Sequence, residues 1–401
     1  MALLGARMHY AVPRILFQRG CLDQLCTDIC AVKNWPRILN LVPGKLRPNS
    51  LRHLLDRVPV NLPPEKITAF TNFGLEYFKR RATAKTEPEM TAVHLWAGRR
   101  FGELVLARGF GNAEFVYTFN SAGLEILTAA KAEGLQAVME QTKAPCEIES
   151  QLISGELDSF PGWGRPRLFD SYASDFSDRE RAEWASADIL ICGSQFVKNM
   201  IGACGGPADR CIVVQYGVDF RPYLARSQHT DRLRVLTAGA VGLQKGSPYV
   251  LRAAKALKGR AEFRMVGSLN VPTVIKRELS EHIDIRGVVP RGDMPAQYSW
   301  ADVFLLPSIC EGSATVTYEA MASGLPVICT PNTGSVIRDG VEGFIVPIRD
   351  SDRIVQRLEL LIEDRQLLRE MGRAALTLSG NLTLSAYAVR LADALSPRAT
   401  P

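Results

Sequence analysis

The sequence predicts an α/β protein built from two doubly wound parallel sheets, and three observations predict it. From about residue 185, short runs of Val, Ile, Leu and Phe alternate with helical patterns; runs such as ILIC, RVLTA and VFLL lack period-two alternation; and the chain, at 401 residues, is longer than one core sustains. Strands apolar on both faces are covered on both faces, and the intervening helices supply the crossovers. Single hydrophobic cores stop growing near ~250 to 300 residues, so two domains follow.

In chain order the second half gives ADILICGS, CIVVQYG, RLRVLTAGA, the helix YVLRAAKALK, AEFRMVG, the helix TVIKRELSEH, IDIRGVV, the helix MPAQYSWA, DVFLLPS, the helix TVTYEAMAS, LPVICT and GFIVPI. DRIVQRLELLIED carries Ile354, Val355, Leu358, Leu361 and Ile362 at helical spacing, and LSAYAVRLADAL is again amphipathic. In the first half, TAVHLW, EFVYTFN and LQAVMEQT read as buried strands around helices such as SAGLEILTAAKAEG. A boundary near Tyr216, within the Gly- and Pro-bearing VQYGVDFRPY, divides a first domain, 1–215, from a second, 216–379. The C-terminal helix of 380–401 is expected to pack back on the first domain.

Composition bounds the function. With 46% hydrophobic and 22% charged residues, the chain is that of a globular protein. No apolar run reaches the ~18 residues that cross a bilayer, and Arg7, His9, Pro13 and Arg14 interrupt the start, unlike a signal peptide. A cytoplasmic protein is expected. Its nine scattered cysteines sit mostly in apolar segments and read as buried thiols rather than a disulfide framework.

The net charge of +6 is unevenly spread: residues 1–100 hold 16 Lys and Arg against 7 Asp and Glu, which leaves 32 against 35 for the rest. Such a basic quarter is either a solvated face or an attractor of anionic membrane or substrate. PGKLRPNSLRHLLDR, with Leu46, Leu51, Leu54 and Leu55 among Lys45, Arg47, Arg52 and Arg57, reads as a peripheral contact with the inner membrane face or as leucines packed inward. No nucleic-acid partner is expected.

The chemistry concentrates in CEGSATVTYEAMASGLPVICT, residues 310–330, where Glu311 and Glu319 stand eight positions apart after VFLLP. Doubly wound sheets bind ligands beyond the carboxyl ends of their strands. A helix is predicted from Thr315 to just before Gly324, which suits the left-handed position after a helix. The amides of Ala314, Thr315 and Val316 then offer a phosphate site, and the small residues Gly312, Ser313 and Ala314 let the anion approach. Glu311 on the loop can accept from sugar hydroxyls, while Glu319 inside the helix can bridge a ribose diol. Such a site holds a nucleotide-sugar.

These residues, together with VQYGVDFRPY, TAGAVGLQKG and GVVPRGDMPAQYSWADVFLLPS, resemble the retaining glycosyltransferases of family 4, whose GT-B architecture is two Rossmann-like domains facing a cleft. The resemblance covers residues 185–350 well and the first half loosely. It implies that Lys245 neutralises the donor diphosphate beside Gly239, that Glu311 contacts the donor sugar and Glu319 the ribose, and that backbone near Val288 and Val289 lies beside the base. It implies transfer from a UDP- or GDP-sugar to a hydroxyl of a glycan, glycolipid or small molecule, with retention, no metal and no cofactor.

Three departures stand out. Ala240 follows Gly239 where most relatives place an arginine; FQRGCLDQLCTDI, with Gly20, stands where a Gly-rich loop is usual; and LQAVMEQTKAP offers Glu140 and Gln141 where a histidine is common. His94, read at a strand end, is either a cleft residue acting on an acceptor hydroxyl or a satisfied structural histidine. Asp350-Ser351-Asp352 has the look of a metal-binding DxD, but its place before IVQRLELLI favours helix capping. A nucleotide-sugar epimerase and a non-catalytic nucleotide-sugar-binding subunit are the rival readings.

Overall fold

The computed structural model describes residues 1–39, 57–164, 171–218 and 231–396. The chain divides into two compact units: Met1–Cys146, Leu168–Ile191 and Ile201–Ile212 form the first, and Glu147–Arg167, Cys192–Met200 and Val213–Pro401 the second.

In the first unit a three-stranded parallel sheet takes the order β1 (Ala2–Leu3), β2 (Leu25–Thr27), β3 (Ile67–Ala69). A four-stranded sheet takes the order β4 (Phe115–Phe119), β5 (Gln136–Gln141), β6 (Ile189–Cys192), β7 (Cys211–Val213). β1 packs beside β4, which extends the order to β3-β2-β1-β4-β5-β6-β7. TAVHLW is not a strand. It lies inside the helix Glu87–Arg108, which Thr86 and Glu89 open with a capping box, and this start signal outweighs a short apolar run.

The second unit holds the six-stranded sheet of β8 (Leu233–Ala238), β9 (Ala261–Val266), β10 (Asp284–Ile285), β11 (Val303–Leu306), β12 (Val327–Cys329) and β13 (Gly343–Ile345). Its order is β10-β9-β8-β11-β12-β13, with parallel pairing in every described register. Order reverses between β8 and β11, the switch point at which such sheets bind ligands. All four residues of β11 are fully buried, as an apolar run without alternation requires. IDIRGVV contributes two strand residues, and Val288 beyond them is 72% exposed.

The helix Cys146–Ser159 supplies Ile153 to the second unit's core, and Glu156 there accepts from the Tyr249 hydroxyl at 2.8 Å and from Arg349 at 2.6 Å. The last helix, Leu384–Leu395, stays within this unit: Tyr387 meets Tyr216 edge-on at 5.9 Å, and Arg390 donates to the carbonyl of Gln215. Asp350 caps the helix Ser351–Glu363 by accepting from the Arg353 amide at 2.8 Å, and Asp352 lies in its first turn. Among the described residues no helix is long and apolar enough to cross a membrane.

Candidate functional site

The loops after β8 and β11 meet at the second unit's switch point. Lys245, in the first, forms an ion pair with Glu311, in the second. Their side chains are 18% and 15% exposed, so solvent screens this pair less than a surface one. Two glycines shape the contact. A Cβ on Gly239 would come within 2.9 Å of Lys245 Cε, so its absence gives the lysine stem room along the end of β8. Gly246, at φ +68, faces the carbonyl of Pro307, which a Cβ would approach to 2.0 Å. Any other residue there pushes the two loops apart.

The segment after β11 is held from the far side by TPNTG. Thr333 donates to the carbonyl of Leu306 at 3.0 Å, Asn332 to that of Ile309 at 2.8 Å, and Thr330 to that of Ser308. Ser194 donates to the Gly312 carbonyl. The helix starts at Thr315 and ends at Ala322, where the amides of Gly324 and Leu325 cap Met321 and Ala320. At its start, Ala314 departs from expectation: its amide donates to the carbonyl of Thr333 at 3.2 Å and is spent inside the fold. Among the described residues the amides of Gly312, Ser313, Thr315 and Val316 have no acceptor. Buried or half-buried N–H groups without partners are rare in folded chains, and several together beside a lysine have the chemistry to receive an anion.

Glu319 lies a turn into this helix, half-buried, and accepts from the Tyr298 hydroxyl at 2.8 Å. Burial raises its pKa; the tyrosine and Arg291 pull the other way. Burial and the carboxylate together push the Tyr298 phenol well above its ordinary value, so it stays a donor. With one oxygen engaged by Tyr298, the other can accept from a diol. No local signal points to Tyr298, which arrives from the separate helix Met294–Trp300. Ser313 exchanges a hydrogen bond of 2.8 Å with the Tyr318 hydroxyl. Val289 lies apart from this cluster in chain terms, half-buried beyond the edge strand β10.

The four residues expected on the acceptor side belong to the first unit. Gly20 lies before β2 and lines a hollow of about 480 Å³ beside Met1, Gln24 and Glu114, at the amino ends of the strands. The loop that does follow the first strand contains Gly5, because that strand is Ala2–Leu3. Its continuation carries Met8, His9 and Tyr10 at φ 47, 51 and 60, a left-handed run without glycine that costs roughly 1–2 kcal/mol per residue.

Glu140 and Gln141 are buried. Tyr117 donates to Glu140; Gln141 donates to Glu180 at 2.7 Å and to the Lys143 carbonyl, and accepts from Trp184 at 3.1 Å. They hold the unit together rather than line an open face. His94 is mid-helix, with its ring 6.3 Å from that of Tyr77. Burial, and then Arg81 and Lys143, hold its pKa down at about 4, so the imidazole is neutral at physiological pH.

Two sheets of this order, each with its own switch point, define the class: the fold is GT-B, α/β with two Rossmann-like domains. Residues 232–364 match the family described as glycosyl transferases group 1, about a third of the chain. The chain is similar to a putative colanic acid biosynthesis glycosyltransferase, WcaL, of Salmonella typhimurium, 28% identical over 43% of this chain and 47% of that protein. It is 29% identical to the D-inositol 3-phosphate glycosyltransferase of Paenarthrobacter aurescens, over 50% of this chain and 56% of that one. The matches thus span about half the length of these curated relatives. Among solved structures, that of Anabaena HepE in complex with UDP-glucose covers 98% of both chains with a TM-score of 0.60 at 14% identity.

Proposed function

We propose that this protein is a retaining glycosyltransferase of the family 4 type that moves a sugar from a UDP- or GDP-linked donor to a hydroxyl acceptor in polysaccharide or glycolipid biosynthesis. One observation carries the reading: Lys245 and Glu311 converge at the β8/β11 switch point beside amides that have no acceptor among the described residues. The names of the colanic acid relative and of the UDP-glucose complex point the same way.

In this reading the diphosphate docks on the amides of Ser313, Thr315 and Val316 and takes up the Lys245 ammonium, which releases Glu311 toward the hydroxyls of the donor sugar. Glu319, oriented by Tyr298, accepts from the ribose. As the glycosyl bond breaks, positive charge gathers on the sugar and negative charge on the departing diphosphate. Lysine and amides then stabilise charge where it develops. They supply the positive potential at the leaving group, so the reading calls for no metal and no cofactor. Retention follows a front-face route in which the donor phosphate helps deprotonate the acceptor.

Thermal-shift titration against UDP- and GDP-sugars tests this, because a ligand at 100 times its dissociation constant adds about 2.7 kcal/mol of stability. A shift with one donor, followed by its turnover with acceptor, is expected. No shift with any donor rejects the reading. Conversion of the donor sugar without transfer makes the protein an epimerase, and binding without turnover makes it a binding subunit.

A further inference from the structure

The loop that carries the open amides is gripped by a residue far away in the chain. Ser194 stands two residues beyond β6, in the stretch Cys192–Met200 that belongs to the second unit, and it is 5% exposed. Its hydroxyl accepts from the Val197 amide at 3.3 Å, which caps the helix Gln195–Ala203, and donates to the carbonyl of Gly312, 118 positions on. A hydroxyl has one proton and two lone pairs, so it does both at once. Aspartate caps a helix equally well, but an ionised carboxylate has no proton to give Gly312. Capping uses only the lone pair; the proton serves the loop.

What that bond fixes follows from the peptide unit. Gly312 and Ser313 share a trans peptide, a plane on which C=O and N–H point in opposite directions. Gly312 is buried and Ser313 half-buried. With the carbonyl turned inward onto Ser194, the Ser313 N–H turns outward, where it has no acceptor among the described residues. Rotation of this plane would strip the buried carbonyl of its partner and present oxygen, rather than N–H, to an incoming anion. Two further contacts hold the plane. Gly334, at φ +66, packs against it: a Cβ there would stand 2.3 Å from the Gly312 carbonyl oxygen and 2.8 Å from Ser194 Oγ, so the missing side chain makes room for the bond. Ser313 Oγ shares a hydrogen bond of 2.8 Å with the Tyr318 hydroxyl.

We propose that Ser194 is a positioning residue for the donor diphosphate: without touching the ligand, it holds the Gly312–Ser313 peptide so that the Ser313 N–H is already aimed when the anion arrives. This rests on the donor reading of the site and adds to it the residue that organises the loop. A dipole oriented beforehand needs no reorganisation as charge develops on the leaving group. The effect is specific to phosphate, since a nucleoside gains nothing from that amide. The amides of Thr315 and Val316 belong to the helix start and are set by the helix itself.

Isothermal titration of UDP, GDP and their nucleosides into wild type, Ser194→Ala and Ser194→Gly tests this. Glycine removes the hydroxyl with little loss of helix capping, so it separates the loop contact from the cap and stands in where the alanine variant folds poorly. Nucleoside diphosphate affinity is expected to fall about tenfold in both variants, the scale of one hydrogen bond to a charged group, with nucleoside affinity unchanged. Amide exchange gives the signature: bound diphosphate slows exchange at Ser313 in wild type and not in the variants, while protection at Val316 persists in all three. Diphosphate affinity and Ser313 protection that are the same in all three proteins would overturn the proposal and leave the donor reading standing. Weakening that is equal for the nucleoside overturns it too, because it marks a general loss of structure. If neither diphosphate binds wild type, the donor reading falls and takes the proposal with it.

Discussion

At the second unit's switch point a lysine and a glutamate neutralise each other, and what stays unmatched among the described residues is a row of backbone amides. At the first unit's switch point the contacts are made by side chains: Asp28 accepts from the Gly5 amide, and Arg7 donates to Thr142 Oγ1 and lies over the Phe119 ring. The sheets share the 3-2-1-4 core order, so topology does not set the difference. Loop chemistry does. A balanced ion pair beside open amides suits a ligand that must be held and then let go as charge shifts.

The largest expected effect lies on the second unit. Lys245→Ala should lower turnover by about 10²- to 10³-fold, as does loss of one group that stabilises developing charge, with the fold retained by circular dichroism. A near-wild-type rate would erase the contrast between the two switch points. Next, Gly246→Ala places a Cβ against the Pro307 carbonyl at a left-handed position, and a loss of roughly 2–3 kcal/mol is expected in chemical denaturation. Equal stability would mean that the β8 and β11 loops are not pressed together as described.

A third variant separates the units by pH. Glu183, fully buried in the first unit, caps the turn after β4 by accepting from Ser121 at 2.7 Å and Gly123 at 2.9 Å, and burial raises its pKa to about 7. A carboxyl with a raised folded pKa favours folding while it is protonated. That contribution is full below about 4.5 and is lost as pH rises through about 7. Denaturation of wild type and Glu183→Gln between those values should therefore diverge by about 2 kcal/mol, with the variant less sensitive to pH. Parallel profiles would show that the cap carries no such linkage. The smallest effect is expected from Glu319→Gln, which keeps the shape but weakens acceptance from a diol: about tenfold in donor KM, measured at fixed acceptor.

How far the sequence could be read follows the same division. Apolar β11, the small-residue turn, the helix start at Thr315 and the stop at Gly324 are local signals in one stretch of chain, and Glu311 and Glu319 could be placed on them directly. Lys245 came within reach only through the family resemblance of TAGAVGLQKG, whose loop follows a strand of six residues. Tyr298 did not, since only tertiary packing brings its helix to Glu319. The first unit's β1 has two residues, too few for any period, so the loop after it was sought at Gly20 and not at Gly5 and Arg7. His94 was misplaced because four apolar positions within a long capped helix look like a strand when read alone. Most of PGKLRPNSLRHLLDR lies outside the described residues; its last member, Arg57, is tied to Asp28.

Amide hydrogen exchange across residues 311–319, with and without UDP, measures the central claim at the atoms concerned. Slowed exchange at Ser313, Thr315 and Val316 on adding UDP, lost again in Lys245→Gln, is the expected result. Exchange at those amides that is unchanged by UDP at saturating concentration, with protection appearing elsewhere in the chain, would contradict it.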